Sequence, residues 1–309
     1  MVSQRAGGGT GRAFQRVADT LRSRLADGRT YPIDRLLPSE RELAAEFDVS
    51  RDTVQRVLRE LRSEGWIRAE QGRGNRVVKT QSIHSPDRPR GQAEQVNLAV
   101  VLDKAFAAEK VTLDVYSLTS ESLVGRLQEQ AGRIRRGEIS PQGIKVRMLL
   151  PAKDALMDLP RRVDGGDSSP LLERLHGIID VMAGMVCKTL EDLQTEGRVP
   201  SVKVSVRHTR ARPQFKLYLV NRTEALHALY RSERRAITLH GGETVDAVDV
   251  LGMQATLIHY EEGVDPESHG SLFVRESQLW FDEEWADSLS GATSHPMGAT
   301  AGEQKRVRP

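Results

Sequence analysis

Near the start of the chain, apolar residues recur at three- and four-residue spacing in short runs, a pattern that predicts helices with one buried face each. Phe14, Val17, Ala18, Leu21 and Leu25 form the first stripe. Ser39, with Glu42 three residues later and an apolar-periodic run behind it, predicts a helix start where side chain and backbone cap each other. Ser50 opens another helix in the same manner, and Val54, Val57, Leu58 and Leu61 make its single apolar stripe. Between the two, Phe47-Asp48-Val49 has room only for a tight turn, and aspartate is among the few non-glycine residues that tolerate a left-handed backbone. Helices joined this way cross closely, as a helix-turn-helix, and leave one side of the second free. After Gly65, the run Trp66-Ile67-Arg68, Glu70-Gln71-Gly72-Arg73-Gly74, Arg76-Val77-Val78 reads as strand, glycine turn and strand, a wing with Arg73 near its tip.

The free side of the second helix carries Arg51, Asp52, Gln55, Arg56 and Arg59. Arginine suits bidentate bonding to guanine in the major groove, glutamine suits adenine, and either can grip a phosphate. The plain alternative is a solvated face, or a winged helix used to dock protein. Charge favours nucleic acid: residues 1–90 hold 18 Lys+Arg against 12 Asp+Glu, a net of +6, and the remainder holds 27 against 31, a net of −4. The overall net of +2 hides this asymmetry.

These residues resemble the GntR-type winged helix-turn-helix regulators. Pro-Ser-Glu-Arg-Glu-Leu-Ala from Pro38, Val49-Ser50-Arg51-x-Thr53-Val54, Leu61-x-x-Glu64-Gly65-Trp66-Ile67 and the Gly72-Arg73-Gly74 wing match in order and spacing, over about residues 11–79. The resemblance implies binding to double-stranded DNA by a symmetric homodimer. It places Arg41, Arg51, Thr53, Gln55 and the wing residues Gln71, Gly72 and Arg73 at DNA-touching positions, and Asp52 and Arg56 share the free face. Dimer symmetry would demand a palindromic operator with half-sites about 10 base pairs apart or a multiple of that. Two departures stand out: Asp48 replaces a common glycine in the turn, and Gln55 stands where arginine is frequent. Base preference is therefore not copied from relatives.

Farther on, residues 1–10 read as a Gly-rich disordered arm, 80–95 as a linker around Ser85-Pro86-Asp87-Arg88-Pro89-Arg90-Gly91, and 291–309 as a disordered, small-residue tail. Between linker and tail, residues 96–290 alternate in period. Helical runs are expected at 97–109, 122–136, 171–193 and 268–289, and strand runs at 111–118, 145–150, 202–208, 215–220, 245–250 and 255–260. The expected architecture is an N-terminal winged helix-turn-helix joined to an α/β domain, a mixed sheet with helices on both sides. So many strand-like runs disfavour an all-helical effector domain.

The order of these elements, with Val146-Arg147-Met148-Leu149-Leu150-Pro151, Phe215-Lys216-Leu217-Tyr218-Leu219-Val220, Asp249-Val250-Leu251-Gly252 and Trp280-Phe281-Asp282-Glu283-Glu284-Trp285, resembles a degenerate phospholipase-D-type domain. That resemblance implies a sensory or dimerising role. Catalysis in that superfamily needs His-x-Lys with an Asp after four more residues, and none of the 8 histidines here has Lys two positions on. The α/β ligand-binding domain of another branch of GntR-type regulators is the second architecture open.

Other chemistry is thin. Asp246 and Asp249, three apart on a strand, point to opposite faces rather than to one metal. Gly241-Gly242 reads as a hairpin turn rather than a phosphate loop, and no lysine has a pyridoxal context, so no metal, cofactor or enzyme activity is expected. The single cysteine, Cys187, sits in a helical run and reads as structural. Arg207, His208, Arg210 and Arg212 fall between two strands and could hold a small-molecule or anionic effector, against the alternative of an exposed basic loop. Trp280 and Trp285 could roof a pocket or serve as core. No apolar run approaches the roughly 20 residues of a membrane span, and the N-terminus lacks a secretion signal's apolar core, so a cytoplasmic protein with no membrane partner is expected.

The function expected is a dimeric, sequence-specific regulator, repressing by default and modulated through its C-terminal domain. The competing classes are a ligand-independent interaction protein with a DNA-binding head, and an enzyme fused to such a head.

Overall fold

The first apolar stripe builds a longer helix than its spacing suggests. In the computed structural model, which describes residues 7–26, 30–63, 66–70, 73–78, 83–84, 98–155, 157–239, 242–250, 252 and 255–290, α1 spans Gly7–Ala26. It starts inside the stretch expected to be a disordered arm. Once burial of Val17, Ala18, Leu21 and Leu25 fixes the helix, each added residue brings one hydrogen bond, and a glycine weakens that gain by only about 1 kcal/mol. Next come α2 (Glu40–Phe47), α3 (Arg51–Ser63), and the antiparallel wing strands β1 (Ile67–Glu70) and β2 (Gly74–Val77). Their common core joins the α1 stripe to Leu43, Val54, Leu58, Leu61, Trp66 and Val77.

The second part runs β3 (Ile83–His84), α4 (Leu98–Phe106), β4 (Lys110–Tyr116), α5 (Glu121–Arg135), β5 (Gly143–Pro151), β6 (Arg161–Arg162), α6 (Ser169–Thr195), β7 (Ser201–Thr209), β8 (Phe215–Val220), β9 (Glu224–Leu229), β10 (Ser232–Thr238), β11 (Thr244–Val250), β12 (Leu257–Glu261), α7 (His269–Asp287) and β13 (Leu289–Ser290). The main mixed sheet has the order β13-β7-β5-β4-β8-β9-β12-β3. Strands β4, β5 and β7 are parallel and are joined through α5 and α6. Both crossovers step the same way from β4, so their common handedness puts both helices on one face. There Leu127, Ile179 and Val186 share a core with Val115, Met148 and Tyr218, and α4 joins them through Leu98 and Leu102. Strand β8 returns on the other side of β4, antiparallel. The opposite face is covered by α7, whose Val274 and Phe281 pack on Tyr116, Leu149, Leu217 and Leu219.

A polar cluster fixes α7. Arg147 Nε and Nη2 donate to Asp114 at 2.6 Å each, Nη2 also reaches Asp282 at 2.5 Å, and Gln278 Nε2 donates to Asp114 at 3.0 Å. The Arg147 guanidinium stacks over Phe281 and Trp285. Trp280 packs edge-on against Tyr116 with centroids 5.0 Å apart, so both tryptophans act as core rather than as a roof.

Several elements depart from the sequence pattern. Strands β9 and β10 were not expected, and β10 forms with β11 and β6 a small sheet whose hairpin bears Gly242 at φ 84°. Asp246 pairs with exposed Arg234 and buried Asp249 with half-buried Arg235, opposite faces as anticipated. Within the expected linker, β3 lies parallel to β12. Residues 85–97 and the tail from 291 onward lie outside the described residues. Burial pushes the half-buried Cys187 thiol up to about 11, leaving little thiolate at neutral pH.

Lys216, on β8, is 2% exposed, and burial pulls its ammonium down to about 7. Between that value and the ordinary 10.5 the unfolded chain holds a proton that the folded chain lacks, so Lys216 makes stability rise as pH increases across this window. Lys216→Met should therefore raise stability at pH 7 by about 1–3 kcal/mol, the scale of one unpaired buried polar group. Its advantage should shrink toward pH 10. Denaturant melts of both proteins at several pH values test this; parallel pH profiles would contradict it.

Candidate nucleic-acid interface

Each turn of the N-terminal domain has a local cause. Ser39 Oγ accepts from the Glu42 amide at 3.3 Å and Glu42 Oε2 accepts from the Ser39 amide at 2.7 Å, the reciprocal cap its spacing predicts. These bonds hold the Glu42 carboxyl below the usual range. Asp48 ends α2 at φ 51°, ψ 55°, the left-handed conformation of the turn. Ser50 Oγ then accepts from the Thr53 amide at 3.2 Å and starts α3.

Helix α3 has two sharply different sides. Val54, Val57, Leu58 and Leu61 are fully buried. Arg51, Asp52, Gln55, Arg56 and Arg59 are exposed together on the other side, and Arg41 is exposed near the start of α2. Two of these side chains are held: Gln55 Nε2 donates to Glu40 Oε2 at 2.8 Å, and Arg56 stacks 5.0 Å over the Phe14 ring. Thr53 departs from the expected set. It is 3% exposed, with Oγ1 2.9 Å from Ser50 Oγ, because its position falls on the core side of the helix start. Its side chain takes part in the α3 cap.

The wing is tied to α3 and to the loop before α2. Arg62 Nη1 donates to Asn75 Oδ1 at 3.3 Å, and Arg76 pairs with Glu70 and bonds the Asp34 carbonyl. The pairing with Arg76 holds Glu70 below the usual carboxylate range. Gly74 has φ 109°, which a residue with Cβ would meet only under strain. Arg73 is exposed at the tip, while Gln71 and Gly72 lie outside the described residues. These bonds join the wing to α3 and to the loop before α2, and both the α3 face and Arg73 are exposed to solvent.

Residues 13–77 match the family model "Bacterial regulatory proteins, gntR family". This segment is a GntR-family helix-turn-helix domain. The GntR-type domain is 37% identical over 73 residues to an uncharacterized HTH-type transcriptional regulator, RB1450, of Rhizobium meliloti, covering 24% of this chain and 30% of that one. An arabinose metabolism transcriptional repressor of Halalkalibacterium halodurans is 32% identical over 85 residues, 28% of this chain and 22% of that one. GmuR, an HTH-type transcriptional regulator of Bacillus subtilis, is 34% identical over 67 residues, 22% and 28% of the two chains. The chain thus spans less than a third of the length of each of these relatives.

The other candidate cluster does not assemble. Arg207 and His208 lie within β7 itself, not in a loop. Arg207 Nη1 donates to the Trp285 carbonyl at 2.6 Å and stacks over that ring, on the α7 face. Strand alternation sends His208 to the other face, where burial lowers its pKa. Arg210 pairs loosely with Asp154, and Arg212 pairs with Asp158 at 2.7 Å and bonds Gln214. Three arginines close in sequence thus serve four separate acceptors. No helix among the described residues is long and apolar enough to cross a membrane.

Ser50→Ala should lower the stability of the GntR-type domain by about 1 kcal/mol through loss of the α3 cap. Denaturant unfolding followed by the fluorescence of buried Trp66, in a background with Trp280 and Trp285 replaced by Phe, measures it; no change would show that the cap is dispensable.

Proposed function

We propose that the protein is a transcriptional regulator that binds a palindromic operator as a homodimer, represses by occluding the promoter, and is modulated through its α/β domain. The observation that carries this reading is the exposed set Arg51, Asp52, Gln55, Arg56 and Arg59 on one side of α3, flanked by Arg41 and wing residue Arg73. In this reading α3 lies in the major groove with Arg51 and Gln55 toward base edges, and Arg41 and Arg73 meet phosphates. The excess of basic residues over residues 1–90 supports it, as does a relative named as a repressor. Gln55 must leave Glu40 to reach a base, so Glu40 limits which contacts are open to it. The α/β domain is read as regulatory because no histidine stands two positions before a lysine.

Arg51→Ala should weaken binding to the protein's best duplex by about 1–3 kcal/mol and relax preference at one base position of each half-site. Anisotropy titrations against a panel of single-base variants at several salt concentrations check this. Equal loss on every duplex, with a salt slope shallower by about one, would assign Arg51 to a phosphate and overturn its base-reading role.

A further inference from the structure

Among the described residues α7 is the one helix on the face of the main sheet opposite α5 and α6, and it crosses that face at a slant. Near its start Phe273 stacks on Tyr260 of β12 with centroids 3.9 Å apart, and near its end the Trp285 ring meets Arg207 of β7. Over β5 it is held by the bond from Arg147 to Asp282. Below that crossing lie the amino-terminal halves of β4, β5 and β7, whose residues on this face are Lys110, Thr112, Lys145, Lys203 and Ser205. The three lysines are exposed, and among the described residues no ion pair reaches any of them. Lys145 and Lys203 are register partners on neighbouring strands, which sets two like charges side by side, an unfavourable arrangement.

The outer side of α7 has the opposite character. Leu272, Glu276, Leu279 and Glu283 recur at four- and three-residue spacing, a stripe turned away from buried Val274, Gln278 and Phe281. Leu279 is 53% exposed, and both glutamates are exposed. Arg275 holds Glu276 only loosely, at 3.6 Å, and no ion pair among the described residues reaches Glu283. One face of the domain thus carries an acidic, partly apolar ridge beside a bare basic floor. The two are complementary, yet on a single chain the ridge points away from the sheet that bears the lysines. A two-fold axis removes this difficulty: with two such faces opposed, each α7 enters the bare corner of the other, and the helices lie side by side in one layer between two sheets.

We propose that this face is the surface through which two copies of the chain associate, with Glu276 and Glu283 of each copy set over Lys145 and Lys203 of the other. Leu272 and Leu279 then close the seam between the paired α7 helices. The assignment gives a place to the homodimer read above and rests on that reading. Because α5 lies on the other side of the sheet, association here leaves the packing of α1 on α5 untouched.

The test is sedimentation velocity of the full chain without DNA, over a concentration series at low and at near-physiological salt. The expected result is a dimer that weakens as salt rises, and that weakens about tenfold or more in the double variant Lys145→Glu with Lys203→Glu and in the double variant Glu276→Lys with Glu283→Lys. Mixing the two double variants should restore association, because every contact then again sets lysine against glutamate. A dimer retained unchanged by both variants would overturn this face and leave the homodimer reading standing. Weakening that mixing does not rescue would overturn the charge pairing. A dimer kept by the lysine variant together with weaker binding to a random duplex would assign the lysines to phosphates, and association that appears only after removal of residues 291–309 would assign them to the chain's own tail; either result would overturn the proposal. A chain monomeric at about 100 µM would overturn the face, and the homodimer reading falls with it only if the protein also selects a single, unpaired half-site.

Discussion

Burial of Val54, Val57, Leu58 and Leu61 against α1 and Trp66 is the constraint on which the GntR-type domain depends. With 3.6 residues per turn, hiding those four side chains leaves Arg51, Asp52, Gln55, Arg56 and Arg59 no place but solvent. The left-handed Asp48 then sets the angle at which α2 meets α3, and the Ser50 cap fixes where the second helix begins. Arg62 and Arg76 hold the wing to this frame, so the polar face and Arg73 keep a set relation to each other. A surface that is rigid before it meets a ligand loses less conformational entropy on binding, which is the physical value of such a scaffold.

Much of this was legible in the chain because the determinants are local. A cap needs two residues three apart, a turn needs one permissive residue, and an amphipathic helix shows its period directly; Ser39, Asp48 and the α3 stripe all fall where their spacing indicates. The long strands of the α/β domain were legible for a related reason, since β4, β5 and β8 are buried on both faces and read as apolar runs. Strand β9 was not, because Glu224-Ala-Leu-His-Ala-Leu is rich in helix formers and becomes a strand only by pairing with β8 and β12. Strand β10, with Glu233, Arg234 and Arg235, owes its conformation to β11, where Asp246 and Asp249 supply the countercharges. The inward turn of Thr53 was not legible, because a helix-start residue near the boundary of two faces takes its side only once the Ser50 cap engages it. The basic run from Arg207 to Arg212 shows the limit of adjacency: strand alternation and the carboxylates at Asp154 and Asp158 scatter side chains that the sequence sets side by side.

The two halves of the chain meet through α1, which packs on α3 beneath the helix-turn-helix and on α5 at the edge of the α/β domain. Trp66 and Arg22 look into the same seam. The helix that supports α3 from beneath is therefore also the part of that domain packed on the α/β domain, and a movement of α5 has a short physical route to α3.

The central claim is that the α3 face reads base sequence in a symmetric pair of subunits. Selection of bound sequences from a random duplex pool by the purified full-length protein, at near-physiological salt, tests it most directly. The account predicts enrichment of a palindrome with half-sites about one helical turn apart or a multiple of that. Enrichment of no motif by folded protein, or of a single unpaired half-site, would contradict it.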